Sequence, residues 1–119
     1  PACMKLFVDP PQVYLHRDFV DFRKSINGLA AIVETDMALP TMSGALFVFC
    51  NRGRDKLKIL YWDNTGFALW YKRLEKDKFK WPGKLNTPTY SLSEQQLEWL
   101  LSGYDVIGHQ PMAFQSVAL

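Results

Sequence analysis

Ala45-Leu-Phe-Val-Phe-Cys-Asn-Arg-Gly-Arg-Asp-Lys-Leu-Lys-Ile-Leu-Tyr-Trp-Asp-Asn-Thr-Gly-Phe-Ala-Leu-Trp-Tyr-Lys-Arg73 decides the fold. Three runs rich in aliphatic and aromatic residues, at 45–50, 57–62 and 67–73, are divided by two polar segments containing Gly53 and Gly66. The runs have the length and composition of strands. The segments have turn chemistry, because Gly adopts backbone angles other residues resist and Asp and Asn bond locally. Strands joined this closely pair antiparallel, so a meander is expected. The first run is apolar at every position, which marks a strand covered on both faces. In the second, Lys58, Leu60 and Trp62 share one face, and Leu57, Ile59 and Tyr61 share the other.

Toward lower numbers, Val13-Tyr-Leu-His16 follows Pro10-Pro11 and reads as a strand. Asp18 is placed as a helix N-cap, with Asp21 three residues on. Phe22, Ile26, Leu29, Val33 and Met37 recur at spacings of three and four, predicting a helix from about Phe19 to Asp36. Gly28 inside it costs about 1 kcal/mol against Ala and marks close packing. Toward higher numbers, Lys78-Phe-Lys-Trp81 alternates charge and aromatic and is expected as an edge strand. Thr89-Tyr-Ser-Leu92 adds a short strand. Ser93 with Gln96 forms a capping box for a helix with Leu97, Leu100 and Leu101 on its apolar face and Gly103 as its stop. The expected fold is α+β: a mainly antiparallel meander of three to five strands, with two helices packed on one face. The chain is read as a single domain over 1–119, with an ordered core of about 5–107 and a disordered tail.

The 119 residues are 48% hydrophobic and 22% charged, enough for one core and too apolar for a disordered chain. Cys3 and Cys50 are expected as free thiols, and Cys50 as a small buried hydrophobe. The sequence shows neither a secretory pattern nor a membrane-length apolar run, so a soluble cytoplasmic protein is expected.

The net charge of +2 is unevenly distributed. Residues 52–84 hold ten basic side chains against four acidic ones, whereas 1–51 hold four against five and 85–119 hold three acidic and no basic ones. Such concentration points to an anionic partner, because Lys and Arg neutralise phosphates and release counterions. The candidate nucleic-acid contacts are Arg52, Arg54, Lys56, Lys58, Lys72, Arg73 and Lys80, joined by Arg23 and Lys24. Trp62, Trp70 and Trp81 are candidate partner-binding anchors, since Trp and Arg dominate interface hot spots. The alternative for the aromatics is a place in the core, and for any single Trp that is the stronger expectation.

No catalytic constellation is legible. His16 and His109 have no nucleophile near them in sequence, and the chain lacks a phosphate-binding glycine loop. Asp55, Asp63 and Asp77 all fall in expected turns, with no spacing that makes them converge on a metal. Neither a cofactor nor a metal is expected. Helix-turn-helix, zinc-finger and zipper patterns are also absent.

Phe22-Arg-Lys-Ser-Ile-Asn-Gly-Leu29, Gly44 to Asp63 and Gly66-Phe-Ala-Leu-Trp-Tyr-Lys-Arg-Leu-Glu75 resemble one bacterial family. It is that of the small accessory proteins (TnpB) of insertion-sequence-66 elements, distinct from the RNA-guided nuclease of the same name. The resemblance runs from about Val13 to Gly103, with Ser25 where the family has Gly and Asn27 where it has Asp. It implies an accessory, non-catalytic role in DNA transposition, the strand-transfer chemistry belonging to a separate transposase. Element-end DNA and that transposase are the implied partners. Three readings follow: binding of DNA or of a transposase–DNA complex, a protein–protein adaptor without DNA contact, and a metal-dependent nucleic-acid enzyme.

Overall fold

The computed structural model describes residues 11–83 and 86–104. Five strands form one sheet: β1 (Val13–His16), β2 (Leu46–Cys50), β3 (Lys56–Trp62), β4 (Phe67–Arg73) and β5 (Thr89–Leu92). Two helices accompany them, α1 (Ile26–Thr35) and α2 (Glu94–Leu101). The strand order is β4-β3-β2-β1-β5. β2, β3 and β4 form the expected antiparallel meander, with Phe47 opposite Leu60 and Leu60 opposite Leu69. β1 pairs parallel to β2 and antiparallel to β5, placing Val13 between Leu46 and Leu92. The parallel pair requires a crossover, and α1 occupies it. The α+β class and the mostly antiparallel sheet match the expectation.

The helices lie on opposite faces of the sheet, not on one. Leu29 and Val33 of α1 pack with Phe47, Phe49 and Leu60. Leu97 and Leu100 of α2 pack with Leu46, Val48, Cys50, Leu57 and Ile59. β2 alternates its side chains between these two cores, so all five of its residues are buried. An all-apolar central strand needs a cover on each side, and one helix supplies each.

The helix expected from Phe19 begins only at Ile26. Asp21 makes a turn instead: its carboxylate accepts from the Arg23 amide at 2.9 Å, and its carbonyl accepts from the Lys24 amide at 3.0 Å. Asp18 is therefore not the N-cap; Ser25 stands there, without a side-chain capping bond. Local hydrogen bonding by Asp outweighs the apolar spacing, and Phe22 joins the α1-side core from a turn.

Residues 78–81 are not an edge strand. Their alternation still sorts the side chains: Phe79 is fully buried and Trp81 nearly so, while Lys78 and Lys80 are exposed. The Phe79 amide donates to the Arg54 carbonyl and the Trp81 indole to the Arg17 carbonyl, at 2.7 and 2.9 Å. This irregular segment thus closes the α2-side core.

α2 carries the capping box as read, with reciprocal Ser93–Gln96 bonds at 2.9 and 3.0 Å. Gly103 follows at φ +94°, the left-handed conformation in which Gly is favoured. The expected core limits at 5 and 107, the tail, Cys3 and His109 lie outside the described residues.

Candidate nucleic-acid interface

A groove of about 840 Å³ opens on the α1 side of the sheet. Phe19 to Arg23 flank it, the β2–β3 turn contributes Asn51, Arg52 and Gly53, and Lys56, Lys58 and Tyr71 line it from the strands. Lys58 and Tyr71 are direct cross-strand partners, as are Lys56 and Arg73, so these four side chains share one face. Arg73 thereby continues the basic face beyond the groove. The lining holds four cations and a single carboxylate, Asp21.

That carboxylate is already engaged. Arg23 Nε donates to both Asp21 oxygens at 3.0 and 3.1 Å, and this pairing holds the Asp21 carboxyl down at about 2. Arg23 itself remains exposed at the groove.

Lys58 ties the floor to the flank. Its Nζ donates to the Phe22 carbonyl at 3.1 Å and to the Lys24 carbonyl at 2.9 Å, and it lies over the Phe22 ring. Burial pushes its ammonium pKa below the ordinary value. With two donors committed, Lys58 shapes the groove and contributes its charge at short range.

The β2–β3 turn is braced by Asn51. Its Nδ2 donates to Asp55 Oδ1 at 2.8 Å, and its Oδ1 accepts from the Lys56 amide at 3.0 Å. The Asn51 bond holds the Asp55 carboxyl below its usual range. Arg52 and Arg54 project from this turn, exposed, with neither an ion pair nor a side-chain hydrogen bond to another described residue. Arg54 adopts φ +61°, a strained conformation for a side-chain-bearing residue.

The other candidates are dispersed. Lys24 is exposed, and its carbonyl anchors Lys58. Lys72 points to the opposite face, where its Nζ donates to the Leu101 carbonyl at 3.1 Å. Arg73 Nε bonds Glu75 at 2.9 Å, which raises the guanidinium pKa. Lys80 is exposed on the irregular segment. Among the tryptophans, Trp81 is buried, Trp62 is half-buried edge-on to Phe67 at 5.1 Å, and Trp70 is 37% exposed on the α2 face of β4.

His16 has a structural place. It is buried, its Nδ1–H donates to the Asp18 carbonyl at 2.9 Å, and its Nε2 is 3.6 Å from Asp36. It holds the approach to the groove flank against the end of α1. Among the described residues, no three His, Cys, Asp or Glu side chains are grouped to hold a metal ion. No described helix is long and apolar enough to cross a membrane.

The groove is not legible from helical spacing, which puts Phe19–Arg23 on a helix rather than on a groove flank. The signal was present in Asp21, a residue that favours turns as strongly as caps.

No solved structure matches the chain. Two proteins of Sinorhizobium fredii (strain NBRC 101917 / NGR234) do, both described as uncharacterized. The chain is 35% identical to y4jC over 86 residues, covering 72% of this chain and 73% of that protein. It is 34% identical to y4hO over 94 residues, covering 79% and 81%. The model of the IS66 Orf2-like proteins matches residues 11–111, which include every described element of the sheet, both helices and the groove, and the chain therefore belongs to that transposition-associated family.

Proposed function

We propose that the protein is a cytoplasmic, non-catalytic accessory factor in DNA transposition that binds DNA, or a transposase–DNA complex, through the groove and the basic residues around it. The groove lining carries this reading: its one carboxylate is neutralised by Arg23, while Arg52 offers charge beside it and Lys56 adds its own, 3.7 Å from Asp55. Arg54 and Arg73 extend the same surface, with Lys24 and Lys80 as outlying phosphate contacts; Lys72, on the opposite face and bonded to the Leu101 carbonyl, stands apart from it. Family membership supplies the transposition context. An adaptor that docks on the transposase without touching DNA has narrower support, since of the three candidate anchors only Trp70 is exposed, at 37%.

The test is a gel-shift series on element-end DNA, with and without the transposase, in rising salt. Affinity is expected to fall steeply, with log K losing about 0.9 per decade of salt for each phosphate contacted. An Arg52→Ala, Lys56→Ala double variant should flatten that slope by about 1 to 2. Absence of binding at low salt in both arms overturns the reading. A transposase pull-down that survives nuclease treatment would then establish the adaptor.

A further inference from the structure

The groove carries exposed aromatic surface as well as charge. Four aromatic side chains are prominently exposed among the described residues: Phe19, Trp70, Tyr71 and Tyr104. Two of them, Phe19 at 37% and Tyr71 at 49%, line the groove beside Arg52 and Lys56.

Duplex phosphates reward the cations but leave these rings without a partner. Base faces in a duplex are stacked on each other, so a ring beside the helix meets sugar and phosphate. An unpaired strand presents base faces and phosphates alternately, which a basic groove with exposed rings satisfies together. The position of Tyr71 suits a stacking platform. Its neighbour Lys58 is fixed by two carbonyls, so the floor beneath a stacked base is braced.

We infer that the groove binds a short unpaired stretch of DNA, with bases stacked on Tyr71 and Phe19 and phosphates held by Arg52 and Lys56. This rests on the reading of the groove as a nucleic-acid surface. It adds a preference for single strands, such as those opened at an element end during strand exchange.

Fluorescence anisotropy at low salt, with labelled oligothymidylate and a duplex of equal length, tests it on the full chain. Oligothymidylate is expected to bind on the order of tenfold more tightly than the duplex. Tyr71→Ala should weaken that binding ~5- to 150-fold, the range for loss of one base–aromatic stack. Tyr71→Phe should preserve it, because the π-face remains. Met42→Ala, at an exposed position outside the groove lining, should leave it unchanged, and circular dichroism confirms that each variant is folded. Equal or tighter duplex binding, or an unaltered oligothymidylate affinity in folded Tyr71→Ala, overturns the single-strand inference and leaves the basic surface as a duplex site. Failure of both nucleic acids to bind overturns the single-strand inference and the direct-DNA form of the proposed function, and the gel shift with transposase decides the complex-dependent form.

Discussion

The ammonium of Lys58 lies 4.7 Å from the centroid of the Phe22 ring while donating to the carbonyls of Phe22 and Lys24. A strand residue thereby fixes a loop more than thirty positions away in sequence. Hydrogen bonds from a charged group contribute about 1.5–3 kcal/mol, and an exposed cation–π contact about 0.5–1. Lys58 is only half-buried, so water replaces part of these bonds, and Lys58→Met should destabilise the fold by about 2 kcal/mol in urea titration. Amide exchange at 19–25 should accelerate more than in β2. Equal acceleration in both would show that the contact supports the whole fold rather than the flank.

Arg54 offers a trade between stability and binding. Its φ of +61° costs a non-glycine residue about 1–2 kcal/mol, and Gly returns ~0.4–1 of that through unfolded-chain entropy. Arg54→Gly should be more stable by roughly 0.5–1 kcal/mol and should bind DNA more weakly at low salt. A gain in stability with unchanged affinity would remove Arg54 from the interface.

Phe79 and Trp70 contrast a buried aromatic with an exposed one. Phe79 is fully buried between the β2–β3 turn and the α2-side core, so Phe79→Ala should cost about 3–5 kcal/mol. Trp70→Ala, at an exposed position, should cost under about 1 kcal/mol. Comparable losses in denaturant titration would mean that Trp70 is packed as Phe79 is.

These contrasts also mark what was legible in the sequence. The three meander strands, β5, the capping box and the Gly103 stop follow from local rules that tertiary contacts reinforce. The start of α1 did not, because Phe22 keeps helical spacing from Ile26 while Asp21 turns the backbone. The parallel β1–β2 pair is set by a connection of 29 residues, 17–45, beyond the reach of turn chemistry. The uninterrupted apolarity of 45–50 did register a strand covered on both sides, yet the helices were assigned to one. At the site, composition located the charge in 52–84, but the inward reach of Lys58 and the burial of Trp81 depend on segments distant in sequence.

Cys50 gives a pH dependence with a defined sign. Burial pushes its thiol from 9.0 to about 12. Below pH 9 the thiol is protonated folded and unfolded, so it adds no slope. Between 9 and 12 the unfolded chain releases the proton and the folded chain retains it, so stability falls as pH rises. Urea midpoints should decline more steeply in this window for the parent than for Cys50→Ala. Iodoacetamide at pH 8, mapped by mass spectrometry, should leave Cys50 unmodified until the protein unfolds.

The position of β1 imposes a schedule on synthesis. It lies between β2 and β5, and Val13 pairs with both Leu46 and Leu92. A nascent chain that has released β1 to β4 still presents one bare edge of β1, and that edge is closed only when residues 89–92 leave the ribosome. Pairings this distant in sequence form slowly, and open edges recruit other chains in the meantime. The interval between the emergence of β4 and of β5 is thus when the nascent protein has most need of a chaperone.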